Sequence, residues 1–343
     1  MPFNYKKQMP SAEHLKELMP VPENLAKARQ KRLDELCDIF SGNDDRLLLI
    51  IGPCSADNED SVADYMQRLC KVQEKVADKI FIVPRIYTNK PRTTGEGYKG
   101  MMHQPNPVKA PDAFEGLKAI RRMHLRVVSE TGFICADEML YPDNHSYLDD
   151  ILGYVAVGAR SVENQQHRLV ASGVDMPIGM KNGTSGDVGV MFNAIYAAQH
   201  GHDFIYQTHE VSTEGNPYAH AILRGSIDEH GRNIPNYHYE DLLRIASQYE
   251  TKGLLNPAII IDTNHNNSGK QYQQQPRIAS EVMHSMMYEP LLKKMIKGFM
   301  VESYIEPGCQ KIDEHGVYGK SITDPCLGWN ETEKMIYDIA EKL

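Results

Sequence analysis

The sequence is short of the features that mark several large classes of protein. No run approaches the roughly 18 apolar residues of a membrane span, and residues 1–10 are polar, without the apolar centre of a signal peptide. No long basic stretch occurs, and the formal net charge is −9. That balance argues against nucleic acid as a partner. Six cysteines are scattered at Cys37, Cys54, Cys70, Cys135, Cys309 and Cys326, none in a C-x-x-C pair. They read as reduced thiols, and the expected compartment is the cytoplasm. Neither a Walker A sequence nor H-E-x-x-H is present. Gly95-Glu96-Gly97-Tyr98-Lys99-Gly100 matches G-x-G-x-x-G only in letters. A dinucleotide fingerprint opens a helix directly after a strand, whereas here three prolines follow before residue 112.

What is present is a chain of 343 residues, 41% hydrophobic and 24% charged, the proportions of a globular enzyme. A polar arm leads into a helix expected over 23–40, with Leu25, Leu33, Leu36 and Phe40 near one face. Ser41-Gly42-Asn43-Asp44 supplies its stop. Short apolar runs then recur at 47–51, 80–86, 133–136, 155–159, 177–181, 220–223, 258–261 and 298–301. Each suits a strand buried on both faces. Helical patterns lie at 57–76, 112–130, 146–152, 163–172, 188–199, 240–249, 278–296 (broken) and 331–343, with Asp112 as an N-cap and Pro276 at a helix start or interruption.

Alternation from end to end predicts an α/β parallel architecture, and about eight units close a (β/α)8 TIM barrel. A doubly wound sheet is the structural alternative. A ninth run, 204–207, is followed by a Gly-Asn-Pro turn instead of a helix, and is expected as an extra β-hairpin strand near barrel strand 6. The expected domains are an arm and helix over 1–44 and a catalytic barrel over 45–343.

The residues at or just beyond the strand ends are Cys54, Arg85, Glu138, Arg160, Lys181, Arg224, Asp262 with His265, and Glu302. In a barrel those ends share one face, where active sites lie. Arg85, Arg160, Lys181 and Arg224 would repel one another unless an anion balances them. A ligand with a phosphate and a carboxylate fits, since arginine binds both groups bidentately. Each alone reads better as a surface cation or an ion-pair partner. Cys54, His265, Glu302 and the more distant Asp324 form a mixed N/O/S set suited to Mn, Fe, Co or Zn. No spacing motif announces that site, and a single cysteine after a buried strand is commonly core. Lys90-Pro91-Arg92-Thr93-Thr94 follows the second strand. Pro91 stiffens the loop where two cations and a hydroxyl sit, which makes either a grip for a small phosphorylated molecule or a solvated basic turn. Asn182-Gly183-Thr184-Ser185-Gly186 precedes a helix and presents either backbone N–H groups to an anion or a tight turn.

These motifs occur in a set order: Gly52-Pro53-Cys54-Ser55, Lys90-Pro91-Arg92-Thr93-Thr94, Gly158-Ala159-Arg160, Lys181-Asn182-Gly183-Thr184, Leu223-Arg224-Gly225, Val301-Glu302-Ser303 and Gly319-Lys320-Ser321-Ile322-Thr323-Asp324. In them the sequence resembles, from about residue 43 onward, the type I (alpha) 3-deoxy-D-arabino-heptulosonate 7-phosphate (DAHP) synthases of the feedback-regulated bacterial and fungal group. The resemblance implies a metal-dependent (β/α)8 transferase that condenses phosphoenolpyruvate with erythrose 4-phosphate at the start of the shikimate pathway to the aromatic amino acids. It implies one divalent metal ion (Mn, Fe, Co or Zn) held by Cys54, His265, Glu302 and Asp324. Arg160, Lys181, Arg224 and the Ala159 N–H would hold the phosphoenolpyruvate phosphate, and Arg85 with Lys181 its carboxylate. Lys90, Arg92 and Thr93 would hold erythrose 4-phosphate, with Lys90 also assisting catalysis at the aldehyde. Glu138 would organise the reacting centre. His265, Glu138 and Lys181 are the candidates for activating water. A homodimer or homotetramer through the N-terminal arm is expected, with no nucleic-acid or membrane partner.

Some positions depart from the pattern. The arm before residue 43 is short, Tyr141 to His145 and Asp175 differ around the inhibitor pocket, and Thr263-Asn264-His265 replaces the commoner F-S-H. Feedback by an aromatic amino acid is therefore an expectation about a changed pocket. Two rival activities are 3-deoxy-D-manno-octulosonate 8-phosphate synthase and a metal-dependent sugar-phosphate aldolase. The former typically carries K-A-N-R where this chain has Lys90-Pro91-Arg92-Thr93.

Overall fold

A computed structural model describes residues 2–343. Eight parallel strands form one sheet: β1 Leu47–Gly52, β2 Ile80–Pro84, β3 Cys135–Glu138, β4 Leu152–Val157, β5 Ile178–Lys181, β6 Ala219–Leu223, β7 Ile259–Asp262 and β8 Ile296–Glu302. Each neighbours the next in chain order, and β8 returns to β1 with Leu48 opposite Gly298. The last gap, β2 to β3, is closed by a bridge between Arg85 and Ala136, with Ile86 N donating to Ala136 O at 2.9 Å. This is the expected barrel.

Strand alternation sorts the core into two layers. Leu48, Ile50, Phe81, Val83, Ile134, Ala136, Tyr154, Ala156, Ile222, Ile260 and Met300 pack inside the barrel. Their neighbours, among them Leu49, Ile82, Val155, Ile261 and Phe299, pack outward beneath the helices. Small residues make room in the lumen: a Cβ on Gly179 would lie 2.4 Å from the Tyr154 hydroxyl. That hydroxyl meets His220 Nε2 at 2.8 Å, and burial pushes the His220 pKa down to about 4, so the lumen holds a neutral imidazole.

The helices are α1 Ala12–Leu18, α2 Glu23–Ser41, α3 Glu59–Val76, α4 Ala113–Thr131, α5 Gln165–Ala171, α6 Val188–Ala198, α7 Tyr239–Thr251, α8 Gln275–Tyr288, α9 Pro290–Met295 and α10 Trp329–Lys342. Asp112 caps α4 as expected, accepting from Phe114 N and Glu115 N. Pro276 opens α8, and Pro290 opens a separate α9, so the helix expected over 278–296 is two. The helix expected over 146–152 is replaced by a 3-10 turn at Pro142–Tyr147, and Leu152 already belongs to β4. Leu148, Ile151 and Leu152, interleaved with Asp149 and Asp150, have a spacing that suits a helix, but Leu152 instead opens the apolar run of the strand. The run at 204–207 lies in strand Asp203–Tyr206, which pairs antiparallel with His209–Ser212 rather than with β6. Its turn uses positive φ at Gln207 (46°) and Thr208 (67°), a hairpin conformation without the Asn-Gly signal that would have flagged it.

α2 closes the N-terminal mouth of the barrel. Leu36, Ile39 and Phe40 join the lumen cluster, and the Phe40 ring lies 4.3 Å from that of His220. Buried Arg29 donates to Leu152 O (2.7 Å) and Asp149 O (2.9 Å), tying the helix to the start of β4. Phe40→Ala is expected to cost about 3–5 kcal/mol of stability, read by urea denaturation. A loss below about 1 kcal/mol, the level of an ordinary surface change, would contradict a plug role for α2.

Candidate active site

At the C-terminal end of the barrel the inward-facing residues change from apolar to ionisable without a change of phase. Arg85 follows Phe81 and Val83, Glu138 follows Ile134 and Ala136, and Lys181 follows Gly179. Arg224 follows His220 and Ile222, Asp262 follows Ala258 and Ile260, and Glu302 follows Gly298 and Met300. All six charged side chains are at least nine-tenths buried. Charges so placed must be paired or must await a ligand.

Most are paired. Arg85 Nη2 lies 3.0 Å from Glu302 Oε1, its Nη1 donates to Pro53 O at 2.5 Å, and its guanidinium stacks 3.9 Å from the Tyr87 ring. Lys181 Nζ lies 3.2 Å from Asp262 Oδ2, and His265 Nδ1 lies 2.9 Å from the same oxygen. Burial alone would raise the Asp262 pKa, but His265 and Lys181 outweigh it and hold the carboxylate ionised. Burial depresses the His265 pKa, which favours a neutral imidazole. His265 itself has a φ of 49°, an unusual conformation for a non-glycine residue and one that clusters at functional sites.

Two cations are left over. Arg224 Nη1 is buried without a hydrogen-bond partner, and neither Arg224 nor Arg160 makes an ion pair among the described residues. Burial lowers the Arg224 pKa, Asp262 opposes that, and Arg160 adds to it by repulsion. The four cations expected to share one anion thus divide: Arg85 and Lys181 are neutralised, while Arg224 and Arg160 carry the excess. Arg160 Nε donates to Thr93 Oγ1 at 3.0 Å, which joins the end of β4 to the Lys90–Thr94 loop. Arg92 Nε donates to Tyr98 O at 2.8 Å, so the stiff turn folds on itself. Glu138 sits against Gly158, where a Cβ would come within 2.5 Å of its Oε1, just before Ala159 and Arg160.

Beside the cations lies the mixed donor set. Donor atoms of Cys54, Glu302 and Asp324 lie within 4.8 Å of one another. His265 Nε2 stands 3.8 Å from Glu302 Oε1, at the edge of the group. Glu302 Oε1 is buried and accepts no hydrogen bond, whereas Oε2 accepts from Asn264 Nδ2 at 2.6 Å. Burial raises the Cys54 pKa and Glu302 adds to the rise, which makes a bare thiolate costly there. One soft sulfur, two carboxylates and an imidazole with a free nitrogen are the chemistry of a first-row divalent site. Lys90 Nζ shares this cluster, 2.7 Å from Cys54 Sγ and 2.9 Å from Asp324 Oδ2.

Several participants escaped the sequence. Asp262 was visible as a strand end, but not as the partner of both Lys181 and His265. Lys270, 3.0 Å from Asp324 Oδ1, and Asn264 carried no signal, because each reaches the site from a loop. A second cavity, of about 770 Å³, lies between the 203–212 hairpin and the end of α5. Arg29, His145, Asp175, Phe204 and Tyr206 line it, so two of the departing positions, His145 and Asp175, face this space.

The comparisons agree with this geometry. Residues 20–336 match the DAHP synthetase I family. The chain is 38% identical over 334 residues to the phenylalanine-inhibited phospho-2-dehydro-3-deoxyheptonate aldolase of Saccharomyces cerevisiae, covering 93% of this chain and 86% of the relative. It is 36% identical over 334 residues to the Phe-sensitive enzyme of Escherichia coli, covering 95% and 92%. The solved structure of the Francisella tularensis phospho-2-dehydro-3-deoxyheptonate aldolase superposes with a TM-score of 0.92 at 30% identity, covering 99% of this chain and 98% of that one. A closed barrel, ordered motifs and full-length similarity together lead to one conclusion: the chain belongs to the DAHP synthetase I family, the transferases that carry out the condensation opening the shikimate pathway.

Proposed function

We propose that the chain joins phosphoenolpyruvate to D-erythrose 4-phosphate with water, giving 3-deoxy-D-arabino-heptulosonate 7-phosphate and inorganic phosphate. The observation that carries this reading is the buried Arg224 guanidinium, unpaired beside Arg160 on a face where Arg85 and Lys181 are neutralised. An anion with a phosphate restores the balance. Arg224, Arg160 and the Ala159 N–H hold that phosphate, and Lys181 bridges it to the carboxylate beside Arg85.

Cys54, His265, Glu302 and Asp324 would hold one divalent first-row ion. Such an ion, when bound, supplies Lewis-acid polarisation of the aldehyde oxygen. The chain's own contribution is placement. Lys90 donates a hydrogen bond to the aldehyde oxygen, and Arg92 and Thr93 anchor the far phosphate of the sugar. The enol carbon is thereby held against the aldehyde carbon, which removes most of the entropy of a reaction between two polyanions. As the new C–C bond forms, positive character develops at C2 of phosphoenolpyruvate. Water adds there, and the C–O bond to phosphate breaks. Glu138, His265 and Lys181 surround this step and are the groups able to move the water proton.

The 770 Å³ cavity supports regulation by an aromatic amino acid. Phe204 and Tyr206 offer a ring surface, Asp175 an ammonium partner and Arg29 a carboxylate partner. Relatives are named phenylalanine-inhibited and Tyr-sensitive. Residues 1–44 serve as an arm between copies in a homodimer or homotetramer. No helix among the described residues is long and apolar enough to cross a membrane, and the proposed compartment is the cytoplasm.

Phosphate release from phosphoenolpyruvate is expected with erythrose 4-phosphate, to be abolished by a chelator and restored by manganese. Cys54→Ala should lose at least about 100-fold in turnover, of the order seen when metal support is disturbed. Release only with arabinose 5-phosphate, or full activity in chelator, would contradict the assignment. Assayed with Phe, Tyr and Trp, activity should fall with at least one of them. Insensitivity to all three would remove the regulatory reading of the cavity.

A further inference from the structure

β6 ends at Leu223, and the chain bends away from the barrel immediately after Arg224. The last ladder bond on this edge runs from Asn182 N to Ile222 O at 3.1 Å. Gly225 makes the bend with a φ of 69°, and a Cβ there would lie 2.7 Å from the Asn266 backbone. At Arg224 and Gly225, before Ser226 pairs with Ile234, the buried backbone has no strand partners, and buried N–H and C=O groups must find others.

Asparagines supply them. Leu223 O accepts from Asn267 Nδ2 at 3.1 Å. Arg224 N donates to Asn182 Oδ1 at 2.9 Å, and Arg224 O accepts from Asn266 N at 3.1 Å. Gly225 N donates to Asn236 Oδ1 at 2.8 Å, and Gly225 O accepts from Asn182 Nδ2 at 2.9 Å. The clamp is also tied to itself: Asn236 Nδ2 donates to Asn182 Oδ1 at 3.2 Å, and Asn236 N donates to Asn267 Oδ1 at 2.9 Å. Asn182 is fully buried.

The choice of amide has a physical reason. A carboxylate could accept from the same N–H groups, but it would set a negative charge beside Arg224, a buried guanidinium that has no ion-pair partner. An amide offers a donor and an acceptor without charge. We propose that Asn182 and Asn236 are positioning residues for the phosphoenolpyruvate phosphate: they fix the backbone on both sides of Arg224, so its guanidinium is preset and still uncompensated when the ligand arrives. This rests on the function proposed above, which takes Arg224 as a phosphate ligand.

Asn182→Asp tests it. One carboxyl oxygen can still accept from Arg224 N, but the other must carry a proton to donate, and its single O–H serves only one of the Gly183 and Gly225 carbonyls that the amide serves together. The variant should work when protonated and fail when ionised. The ratio of its phosphoenolpyruvate KM to that of wild type should therefore climb about tenfold or more between about pH 6 and pH 9, the scale of one unsatisfied buried hydrogen bond. Its erythrose 4-phosphate KM should stay within about twofold, since no clamp bond reaches that loop. Using a ratio removes the titration of the ligand itself. Asn236→Ala, which leaves Gly225 N–H unpaired, should likewise weaken phosphoenolpyruvate binding about tenfold in calorimetric titration, with inorganic phosphate as a second probe. Equal changes in both KM values, or no loss of binding in either variant, would overturn the clamp. Failure of wild type to bind or turn over phosphoenolpyruvate would overturn the proposed function instead.

Discussion

Charge balance at the C-terminal face of the barrel is the constraint on which the rest depends. Six ionisable side chains point into a space walled by strands, with almost no water contact. Desolvated charges on that scale would unfold the face unless they compensated one another. Arg85 with Glu302 and Lys181 with Asp262 do so directly. His265 shares Asp262, and Lys90 shares Asp324 with Lys270. After this pairing the guanidiniums of Arg224 and Arg160 remain on one side and a group of sulfur and oxygen donors on the other. The pairs are the frame, and the two leftovers are where anion and cation chemistry meet.

The frame is held from below and from the side. α2 fills the opposite mouth of the barrel with Leu36, Ile39 and Phe40, so the lumen is continuous apolar packing from plug to charged face. Gln275, the first residue of α8, donates its amide to Glu302 O and accepts from Glu302 N. Its oxygen also accepts from Thr263 Oγ1. A helix N-terminus thus fixes the end of β8 and the segment leading to His265. Among the metal-ligand candidates, Glu302 thus has both its backbone N–H and its C=O bonded by the Gln275 side chain.

Much of this was legible because strand alternation is a one-dimensional signal. An apolar run with an ionisable residue at its end, repeated eight times, predicts both the barrel and the face on which Arg85, Lys181, Arg224 and Glu302 gather. Cys54 and Asp324 are 270 positions apart with no local spacing to link them, so their grouping as metal donors is weak on spacing and is firmed by the family resemblance. What stayed hidden is what tertiary contact decides. The division of four cations into two paired and two free depends on which carboxylate each faces. Asn182 read only as the start of a Gly-rich turn or anion loop, Asn236, Asn266 and Asn267 carried no signal, and their common target, the backbone around Arg224, appears only in three dimensions. The 3-10 turn at Pro142–Tyr147 was missed because the spacing of Leu148, Ile151 and Leu152 also suits a helix, and the hairpin expected at 204–207 lacked its partner strand because the tight turn to His209–Ser212 contains no glycine.

The central claim is that the face carries an uncompensated cationic pair, Arg224 and Arg160, set against a Cys54–His265–Glu302–Asp324 donor group. A crystal structure of the protein with manganese and phosphoenolpyruvate tests it most directly. The account predicts the ligand phosphate on Arg224 and Arg160, the ion on the four donors, and the Arg85–Glu302 and Lys181–Asp262 pairs close to their present positions. A phosphate held instead by Lys90 and Arg92, or an ion bound away from Cys54 and Glu302, would contradict it.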